Sequence, residues 1–393
     1  MSFIVWQFHS GVNKLSEYRI LLKQLVFWGR MIQDPPYTNK KHTDDSMLKK
    51  ILTLAFIIGS ICSTIQLANS QVVGFGTGEG LPEFEIYPPT GDLYRYRSQR
   101  HFGLFLVTPE GIILVDTTNS RASAWLREQL DERFPGLPVR YVIYSHAHND
   151  HATGGEAFAD TATFIGHENM QKNLMRPAEN TPLSPRENLW DTNQDGLIQQ
   201  TEAEGTALAN NFDRADTDGN GGLNRAESWN RQFGGSQVPP DIYYSEHATV
   251  TLGGKTVELH YTGRNHTDDM TVVFFPEERV IYTVDFLTPK RLPRTQLHGG
   301  FVADWVESLR QVEQLDFDVI SPGHELLGTK EDVTEQREYL EQLVSAVSTG
   351  IDEGKSKEEL VETVLMENYN HLIEFDLSRA LNVEGTYEML ISQ

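Results

Sequence analysis

The chain of 393 residues contains a single cysteine, Cys62. This scarcity excludes a framework of disulfide bonds and excludes zinc sites built from cysteine thiolates. Positive charge is also scarce, because 33 Lys and Arg residues face 56 Asp and Glu residues and the formal net charge is -23. Nucleic-acid binding needs clustered Lys and Arg to neutralise phosphates, so this balance argues against DNA or RNA as a partner.

The sequence also lacks a long hydrophobic run near its N-terminus, since the apolar stretch 51–62 is too short to span a bilayer comfortably. Lys49 and Lys50 precede this stretch, and the small-x-small sequence at 68–70 follows it. This is the arrangement of a secretory signal peptide. We therefore predict a signal peptide at 47–70 and interpret 1–46 as an extra segment before the true start. The alternative is a cytoplasmic extension in which 51–61 serves as an anchor.

Cleavage after Ser70 would remove eight basic residues, four acidic residues and the cysteine, and would leave a net charge of -27. A chain without cysteine suits an oxidising compartment, where free thiols are a liability. We therefore expect a periplasmic or secreted protein with no stable membrane anchor after cleavage.

Three histidines and an aspartate lie within six residues in the run His-Ala-His-Asn-Asp-His at 146–151. The run follows the apolar, β-branched segment 139–145, which is typical of a buried strand. Imidazole nitrogens and carboxylate oxygens suit Zn²⁺, and they also suit iron. Such a density of ligands indicates a metal site at the end of a strand.

Three further strand-like segments end in groups that can bind a metal. His266 follows 256–260, Asp285 follows 280–284, and His324 closes 319–324. Because each group comes where a strand opens into a loop, we expect all of them to converge with the histidine run on one edge of a sheet.

Together these motifs resemble the metallo-β-lactamase superfamily of binuclear hydrolases. The matching residues are the run at 146–151, Gly263-x-x-His266-Thr267, Asp285, Pro322-Gly323-His324, and Asp116 at the end of an early strand. The resemblance covers about residues 90–345 apart from one insertion.

The resemblance implies a ligand set for two metals, which we expect to be zinc, with iron or manganese as other candidates. One metal would be held by His146, His148 and His266, and the second by Asp150, His151 and His324. Asp285 would bridge them, which is more similar to the glyoxalase II branch than to true β-lactamases. The metals would generate a hydroxide that attacks a small-molecule ester, thioester, lactam or related substrate, while the catalytic residue Asp150 orients the water or accepts its proton.

The expected fold is an α/β, αββα sandwich of two mixed sheets flanked by helices. We divide it into a first part at 71–185, a second part at 233–345 and a C-terminal helical segment at 346–393 with a packing role. The pattern predicts strands at 94–97, 102–107, 111–115, 139–145, 162–167 and 247–252, and helices at 120–134, 304–315, 330–351 and 355–390.

The insertion at 186–232 contains two stretches, 191–202 and 216–227, that fit the twelve-residue calcium loop of EF-hand proteins. Oxygen donors stand at loop positions one, three, five, seven, nine and twelve, in a small helical module expected to bind two Ca²⁺ ions. The donors of the first loop are Asp191, Asn193, Asp195, the Leu197 carbonyl, Gln199 and Glu202. Those of the second loop are Asp216, Asp218, Asn220, the Gly222 carbonyl, Asn224 and Glu227.

The pairing of the two loops and the length of their connection are further features of the insertion. Ile198 and Leu223 occupy loop position eight, where paired loops of this kind join through a short β bridge. Only residues 203–215 separate the loops, which leaves room for one full helix. We favour a structural over a regulatory role for calcium, because extracytoplasmic calcium suits weak, constantly filled sites.

Two other functions compete with a zinc hydrolase. Persulfide dioxygenases of the same fold use a similar motif with a single iron, so the protein could be an oxidoreductase. The third possibility is a non-enzymatic calcium-binding protein that retains an ancestral enzyme fold. The complete second ligand set, with His151 and His324 beside Asp285, favours hydrolysis, but the sequence does not reveal the substrate.

Overall fold

The computed structural model of the chain describes residues 82–391, except 185–186, 205–207, 210–211, 233–236, 294–296, 298–301 and 325. The predicted signal peptide and the segment before it lie outside the described residues. Within the described part, no helix is both long and apolar enough to cross a membrane.

Two mixed β-sheets form the centre of the structure. In spatial order the first contains β1 (Phe84–Ile86), β2 (Leu93–Ser98), β3 (His101–Thr108), β4 (Gly111–Val115), β5 (Val139–Ile143), β6 (Thr163–His167) and β9 (Ile242–Tyr244). The second contains β10 (His247–Leu252), β11 (Lys255–His260), β12 (Val272–Phe275), β13 (Val280–Val284) and β14 (Val319–Pro322). Strands β1 to β4 pair antiparallel and β4, β5, β6 and β9 pair parallel, whereas only β14 is parallel to its neighbour in the second sheet.

Helices surround the sheets and fill the insertion. They are α1 (Ser120–Arg133), α2 (Asn149–Ala152), α3 (Asn169–Asn173), α4 (Gln200–Ala203), α5 (Phe212–Ala215), α6 (Arg225–Gln232), α7 (Val302–Glu313), α8 (Lys330–Asp352), α9 (Lys357–Thr363) and α10 (Phe375–Ile391). Short 3-10 turns lie at Gly155–Ala157, Glu187–Leu189 and Glu367–Tyr369, and the two-residue strands β7 (Ile198–Gln199) and β8 (Gly222–Leu223) belong to the insertion.

Alternation along the strands of the first sheet divides the apolar side chains between two cores. Leu104 and Leu106 of β3 join a core that includes Leu259 of the second sheet. Phe105, which lies between them and points to the other face, packs in a separate core with Leu126 of α1. The larger core also contains side chains of α7 and α8. The layers therefore follow the helix–sheet–sheet–helix order that we predicted.

Helix α1 illustrates how local sequence sets an element. The Asn119 side chain accepts a hydrogen bond from the Ala122 backbone N–H at 2.9 Å and so caps the helix. Ala122, Leu126 and Leu130 recur at helical spacing and are buried against the first sheet. The predicted helix at 120–134 is confirmed to within one residue.

The C-terminal part differs from the prediction. Helix α8 continues unbroken from Lys330 to Asp352, so the predicted division between 345 and 346 falls inside a helix. The helix predicted over 355–390 is also divided into α9, a 3-10 turn and α10. Met366 (φ 49°) and Glu374 (φ 53°) adopt left-handed backbone conformations there, which a continuous right-handed helix cannot include.

Candidate metal centre

Two groups of potential metal ligands meet where strands of the two sheets end. The first group is His146, His148, His266 and Asp285, and the second is Asp150, His151, His324 and Asp285. Within each group the candidate ligand atoms lie within 4.8 Å of one another. The structure thus brings together all seven residues that the sequence analysis selected as metal ligands.

Asp285 belongs to both groups because its two carboxylate oxygens face opposite ways. Oδ2 lies 3.7 Å from His146 Nε2 and 3.5 Å from His266 Nε2. Oδ1 lies 3.4 Å from His151 Nε2 and 3.2 Å from His324 Nε2. A carboxylate placed in this way is suited to contact two cations at once.

Spacings between imidazoles also match a shared cation. His266 Nε2 lies 3.2 Å from His148 Nδ1, and His151 Nε2 lies 3.2 Å from His324 Nε2. Nitrogens bound tetrahedrally to Zn²⁺ at their usual bond length are separated by about 3.3 Å. Asp150 completes the second group, with Oδ2 at 3.5 Å from His324 Nε2.

The ligands come from both sheets, so our expectation of a single sheet edge was wrong. His146 follows β5 of the first sheet, whereas Asp285 and His324 follow β13 and β14 of the second. Face-to-face packing of the sheets brings these strand ends together, as shown by Ile143 and Ile281 in the core that they share. The sequence pattern shows where strands end but not which sheet each strand joins.

Local backbone geometry places Asp285. The register between β13 and β14 shifts between Tyr282 and Val284, as in a β-bulge. Val284 has φ 41°, a left-handed value that β-branched side chains rarely adopt. A bulge redirects the residue that follows it, and strained backbone of this kind is typical of functional sites.

The chemistry of His146 fits a bound cation. Its Nδ1 lies 3.0 Å from Ser145 Oγ, but its buried Nε2 makes no hydrogen bond within the described part of the chain. A buried polar atom left unpaired costs about 1–3 kcal/mol, which a bound metal would offset. Burial, reinforced by His148 and His151, holds the pKa of His146 well below its usual value, so the imidazole is in the neutral form that binds metals.

The pKa values of Asp285 and His324 are shifted in opposite directions. Burial raises the pKa of Asp285, but His324 and His151 outweigh this effect and hold it well below the usual range. Burial lowers the pKa of His324, but Asp285 and Asp150 raise it to about 9. A cation that binds His324 Nε2 must therefore displace a proton.

Asp116 supports the site from behind, as the resemblance implied. Its carboxylate accepts hydrogen bonds from the Ser145 N–H, the Ser145 hydroxyl and the Tyr282 hydroxyl, each at 2.8 Å. The Oδ2 atom also lies 3.1 Å from His151 Nδ1. This arrangement fixes the orientation of the ring whose Nε2 faces Asp285.

Sequence reasoning missed two residues beside the ligands. His101 Nε2, at the start of β3, lies 3.4 Å from Asp150 Oδ2, and no motif marks it. Asp269 is buried; it accepts hydrogen bonds from the Ala147 N–H at 3.1 Å and the Thr267 hydroxyl at 2.6 Å. Its position three residues after His266, within the same loop, was the signal available.

The two loops of the insertion pair as predicted. Ile198 and Leu223 face each other in the antiparallel strands β7 and β8. The fourth and sixth positions are left-handed in both loops, with φ 60° and 86° at Gln194 and Gly196 and φ 71° and 87° at Gly219 and Gly221. The loops therefore follow equivalent turns.

Oxygen donors gather in each loop. In the second loop Asp216, Asp218 and Glu227 have candidate ligand oxygens within 4.8 Å of one another, whereas Asn224 accepts hydrogen bonds from the first N–H groups of α6. In the first loop Asn193, Asp195 and Gln199 contact one another through their side chains. Glu202 Oε2 accepts from the Gln199 N–H at 2.9 Å, and Asp191 Oδ2 accepts from the Gly196 N–H at 2.9 Å.

The connection between the loops, 203–215, is described in part. Ala203 ends α4, and Phe212–Ala215 form the short helix α5. Leu208 and Phe212 are buried there with Ile198 and Leu223 in a small core of their own. Tertiary packing therefore stabilises the described residues of this segment.

Hydrogen bonds link the insertion to the loops that carry ligands. Trp229 Nε1 of α6 donates to the Asn173 carbonyl at 2.8 Å, and Asn173 Nδ2 donates to Asp268 Oδ1 at 2.9 Å. Gln237, after the insertion, donates through Nε2 to the Ala147 carbonyl at 2.7 Å. Ala147 lies between two ligands, and Asp268 follows His266 closely.

Comparison with known proteins places the chain in a family. The family model of the metallo-beta-lactamase superfamily matches residues 101–324. The 2,4-dinitroanisole O-demethylase subunit alpha of Nocardioides sp. is 28% identical over 217 residues, which are 54% of this chain and 49% of that protein. The linear primary-alkylsulfatase of Pseudomonas sp. is 24% identical over 275 residues, which are 65% of this chain and 48% of that protein. The chain spans about half the length of these curated relatives.

A solved structure shows the same fold. The stereoselective inverting sec-alkylsulfatase Pisa1 from Pseudomonas sp. matches with a TM-score of 0.54 and 14% identity, over 77% of this chain and 49% of that one. The family model alone spans more than half of the chain, with both ends of the match at residues of the candidate site, His101 and His324. The protein therefore belongs to the metallo-β-lactamase superfamily.

Proposed function

We propose that this protein is a zinc-dependent hydrolase of small molecules with a binuclear, glyoxalase II-like metal centre. The observation that carries the proposal is the shared position of Asp285, whose two oxygens face two separate groups of ligands. His146, His148 and His266 would hold one cation, and Asp150, His151 and His324 the other. When bound, a pair of such cations acidifies a water molecule and stabilises negative charge that develops on the substrate.

Asp150 is the candidate for proton transfer. Its side chain is 38% exposed, whereas that of Asp285 is 9% exposed, so Asp150 is the more accessible of the two carboxylates. Its carboxylate would orient the attacking water or accept the proton of that water. His101, 3.4 Å away, is placed to hold the protonated or ionised carboxylate in that orientation.

The relatives suggest where to look for the substrate. One relative is named as an alkylsulfatase and another as an O-demethylase of 2,4-dinitroanisole. We propose sulfate esters as the first substrate class, followed by activated aryl methyl ethers, carboxylic esters, thioesters and lactams. An iron-dependent oxidoreductase is less well supported, because a single-iron site does not need Asp150, His151 and His324 as a second complete group.

We also propose that 186–232 is an EF-hand pair that binds two Ca²⁺ ions. Equivalent left-handed turns, the Ile198–Leu223 pairing and the gathered carboxylates support this assignment. The role we propose is structural, because the module has only a small core of its own. Such weak sites are filled in a periplasmic or extracellular setting, which is where we place the protein.

A substrate panel tests the proposed function. The protein is loaded with zinc and calcium and assayed with chromogenic alkyl sulfates, aryl ethers, esters, thioesters and lactams. We expect turnover of at least one class, lost on chelation of zinc and restored by adding it back. Turnover that persists in Asp285→Ala, or that requires iron and oxygen instead, would contradict the proposal.

A further inference from the structure

A third cluster of potential ligands lies on the second sheet, and it shares no residue with the centre around Asp285. His247 of the edge strand β10 is the cross-strand partner of His260 in β11. Glu258 precedes His260 by two residues on the same strand, and so its side chain emerges on the same face. Register and strand periodicity therefore place two imidazoles and one carboxylate side by side.

The three side chains are close enough to share one ion. His260 Nε2 lies 3.1 Å from Glu258 Oε2, and the ring centroids of His247 and His260 are 4.7 Å apart. One candidate ligand atom from each residue lies within 4.8 Å of the other two. Ligands of a tetrahedral Zn²⁺ ion lie about 3.3–3.5 Å apart, so small side-chain rotations complete the geometry.

The state of His260 suits a metal ligand. Burial lowers its pKa; Glu258 opposes this effect and His247 adds to it. The net effect is a lowered pKa, which favours the neutral form of the imidazole.

Another histidine of the chain provides a contrast. His371 Nε2 lies 2.9 Å from Glu335 Oε1, but within the described residues no third His, Cys, Asp or Glu completes a metal-capable group with this pair. A histidine–glutamate contact is thus common to both places, and the second imidazole distinguishes the site on the sheet.

Space for further ligands adjoins the cluster. A cavity of about 600 Å³ is lined by His260 and, among others, by Glu246, Tyr261 and His167. His260 therefore belongs both to the cluster and to the wall of an open cavity. A metal held by three protein ligands keeps a coordination position for water or a small anion.

We propose that His247, Glu258 and His260 form a separate site for a divalent transition metal such as Zn²⁺. The ion joins edge strand β10 to β11 and keeps an open position for water or a small anion on the side of the cavity. Softer imidazole ligands exclude calcium as the preferred ion. This inference is independent of the proposed hydrolase activity.

The test uses the full chain as expressed, without a histidine tag, stripped of transition metals by a chelator and then saturated with calcium. The protein is then titrated with Zn²⁺ by calorimetry and with Co²⁺ by visible absorption. We expect the parent to bind one more equivalent in total than His247→Ala, and we expect Glu258→Gln to bind that equivalent more weakly. The matched control His371→Ala should bind like the parent.

Hydrogen exchange gives a readout that is specific for position. Zn²⁺ should slow exchange in residues 247–252 of the parent but not of His247→Ala, since the ion holds the edge strand. The proposal is overturned if the parent binds no more equivalents than His247→Ala and His260→Ala, or if His371→Ala loses an equivalent as well. Because His247 is exposed, its replacement tests the site without disturbing the core.

Discussion

His151 Nδ1 lies 3.1 Å from Asp116 Oδ2, so a buried carboxylate holds the ring whose Nε2 faces the second metal position. Asp116→Asn keeps the shape and tolerates the left-handed backbone at this residue, where φ is 59°. It removes the charge that orients His151. Loss of such an outer partner typically lowers metal affinity about 10–100-fold. Competition with a chromogenic chelator should show this loss.

The matched control for Asp116→Asn is Tyr282→Phe. It removes one hydroxyl donor to Asp116 and leaves the carboxylate beside His151. We expect a smaller loss of affinity. Equal zinc affinity in the parent and Asp116→Asn would show that the contact between Asp116 and His151 does not support the metal.

Loss of a direct metal ligand should lower activity more than loss of Asp116 or Tyr282, which act through a ligand. His148→Ala removes an imidazole from the first group and should lower kcat by more than about a hundredfold, beyond the range for outer partners. Far-ultraviolet circular dichroism should remain like that of the parent, because His148 lies in a loop between β5 and α2. Parent-like turnover on the best panel substrate would refute its assignment as a ligand.

Calcium should stabilise the insertion without changing catalysis. The double variant Glu202→Gln/Glu227→Gln replaces one carboxylate of each loop with a neutral amide. It should lower Tm, as should treatment with EGTA. Calcium at a hundredfold excess over Kd stabilises a native state that alone binds it by about 2.7 kcal/mol. Proteolysis should increase within 186–232, while kcat measured well below Tm should stay constant.

A regulatory role for calcium gives the opposite pattern. The hydrogen bonds from Trp229 to Asn173 and from Asn173 to Asp268 provide a physical connection through which such a role would act. Calcium that changes kcat severalfold with no change in Tm would overturn the structural role. If neither quantity changes, the loops are not calcium sites.

Asp269 should make the free energy of unfolding depend on pH. Burial raises its pKa to about 6, although hydrogen bonds from Thr267 and Asn173 oppose this shift. The folded pKa lies above the unfolded value, so the stabilising contribution is complete below about pH 4 and is lost as pH rises through 6. The loss amounts to as much as about 3 kcal/mol.

Urea unfolding of EDTA-treated protein measures the contribution of Asp269 to the free energy of unfolding. Between pH 4 and 7 the parent should lose stability relative to Asp269→Asn, because the variant has no carboxyl to ionise. The difference between the two proteins isolates Asp269 from the other groups that titrate in this range. A difference that stays constant with pH would contradict the raised pKa.

The metal ligands were predictable because they form dense motifs at the ends of strong strand patterns. Residues 146–151 follow the buried strand β5, and Asp285 follows β13, so periodicity and chemistry agreed. The convergence of two sheets was not predictable, since alternation shows which face of a strand is buried but not its partner. His101 was not predicted, because only the pairing of β3 with β2 and β4 brings it close to the site.

Boundaries in the helical parts were harder to predict. The start of α8 at Lys330 agrees with the predicted helix at 330–351, and the structure shows a capping box formed there by Thr329 and Asp332. Nothing local marked Met366 and Glu374, whose backbone is left-handed without glycine. Packing such as the 2.9 Å hydrogen bond from Tyr339 to Asn382 decides how the last helices lie against α8.

Metal content tests the central claim, a centre for two metals that share Asp285, most directly. The measurement uses the His247→Ala background, which removes the proposed site on the second sheet, and counts zinc by plasma mass spectrometry after gel filtration. We predict two zinc equivalents, about one after adding His266→Ala, and about one after adding His324→Ala. A single equivalent before those changes, or two equivalents that survive both of them, would contradict the two-metal centre.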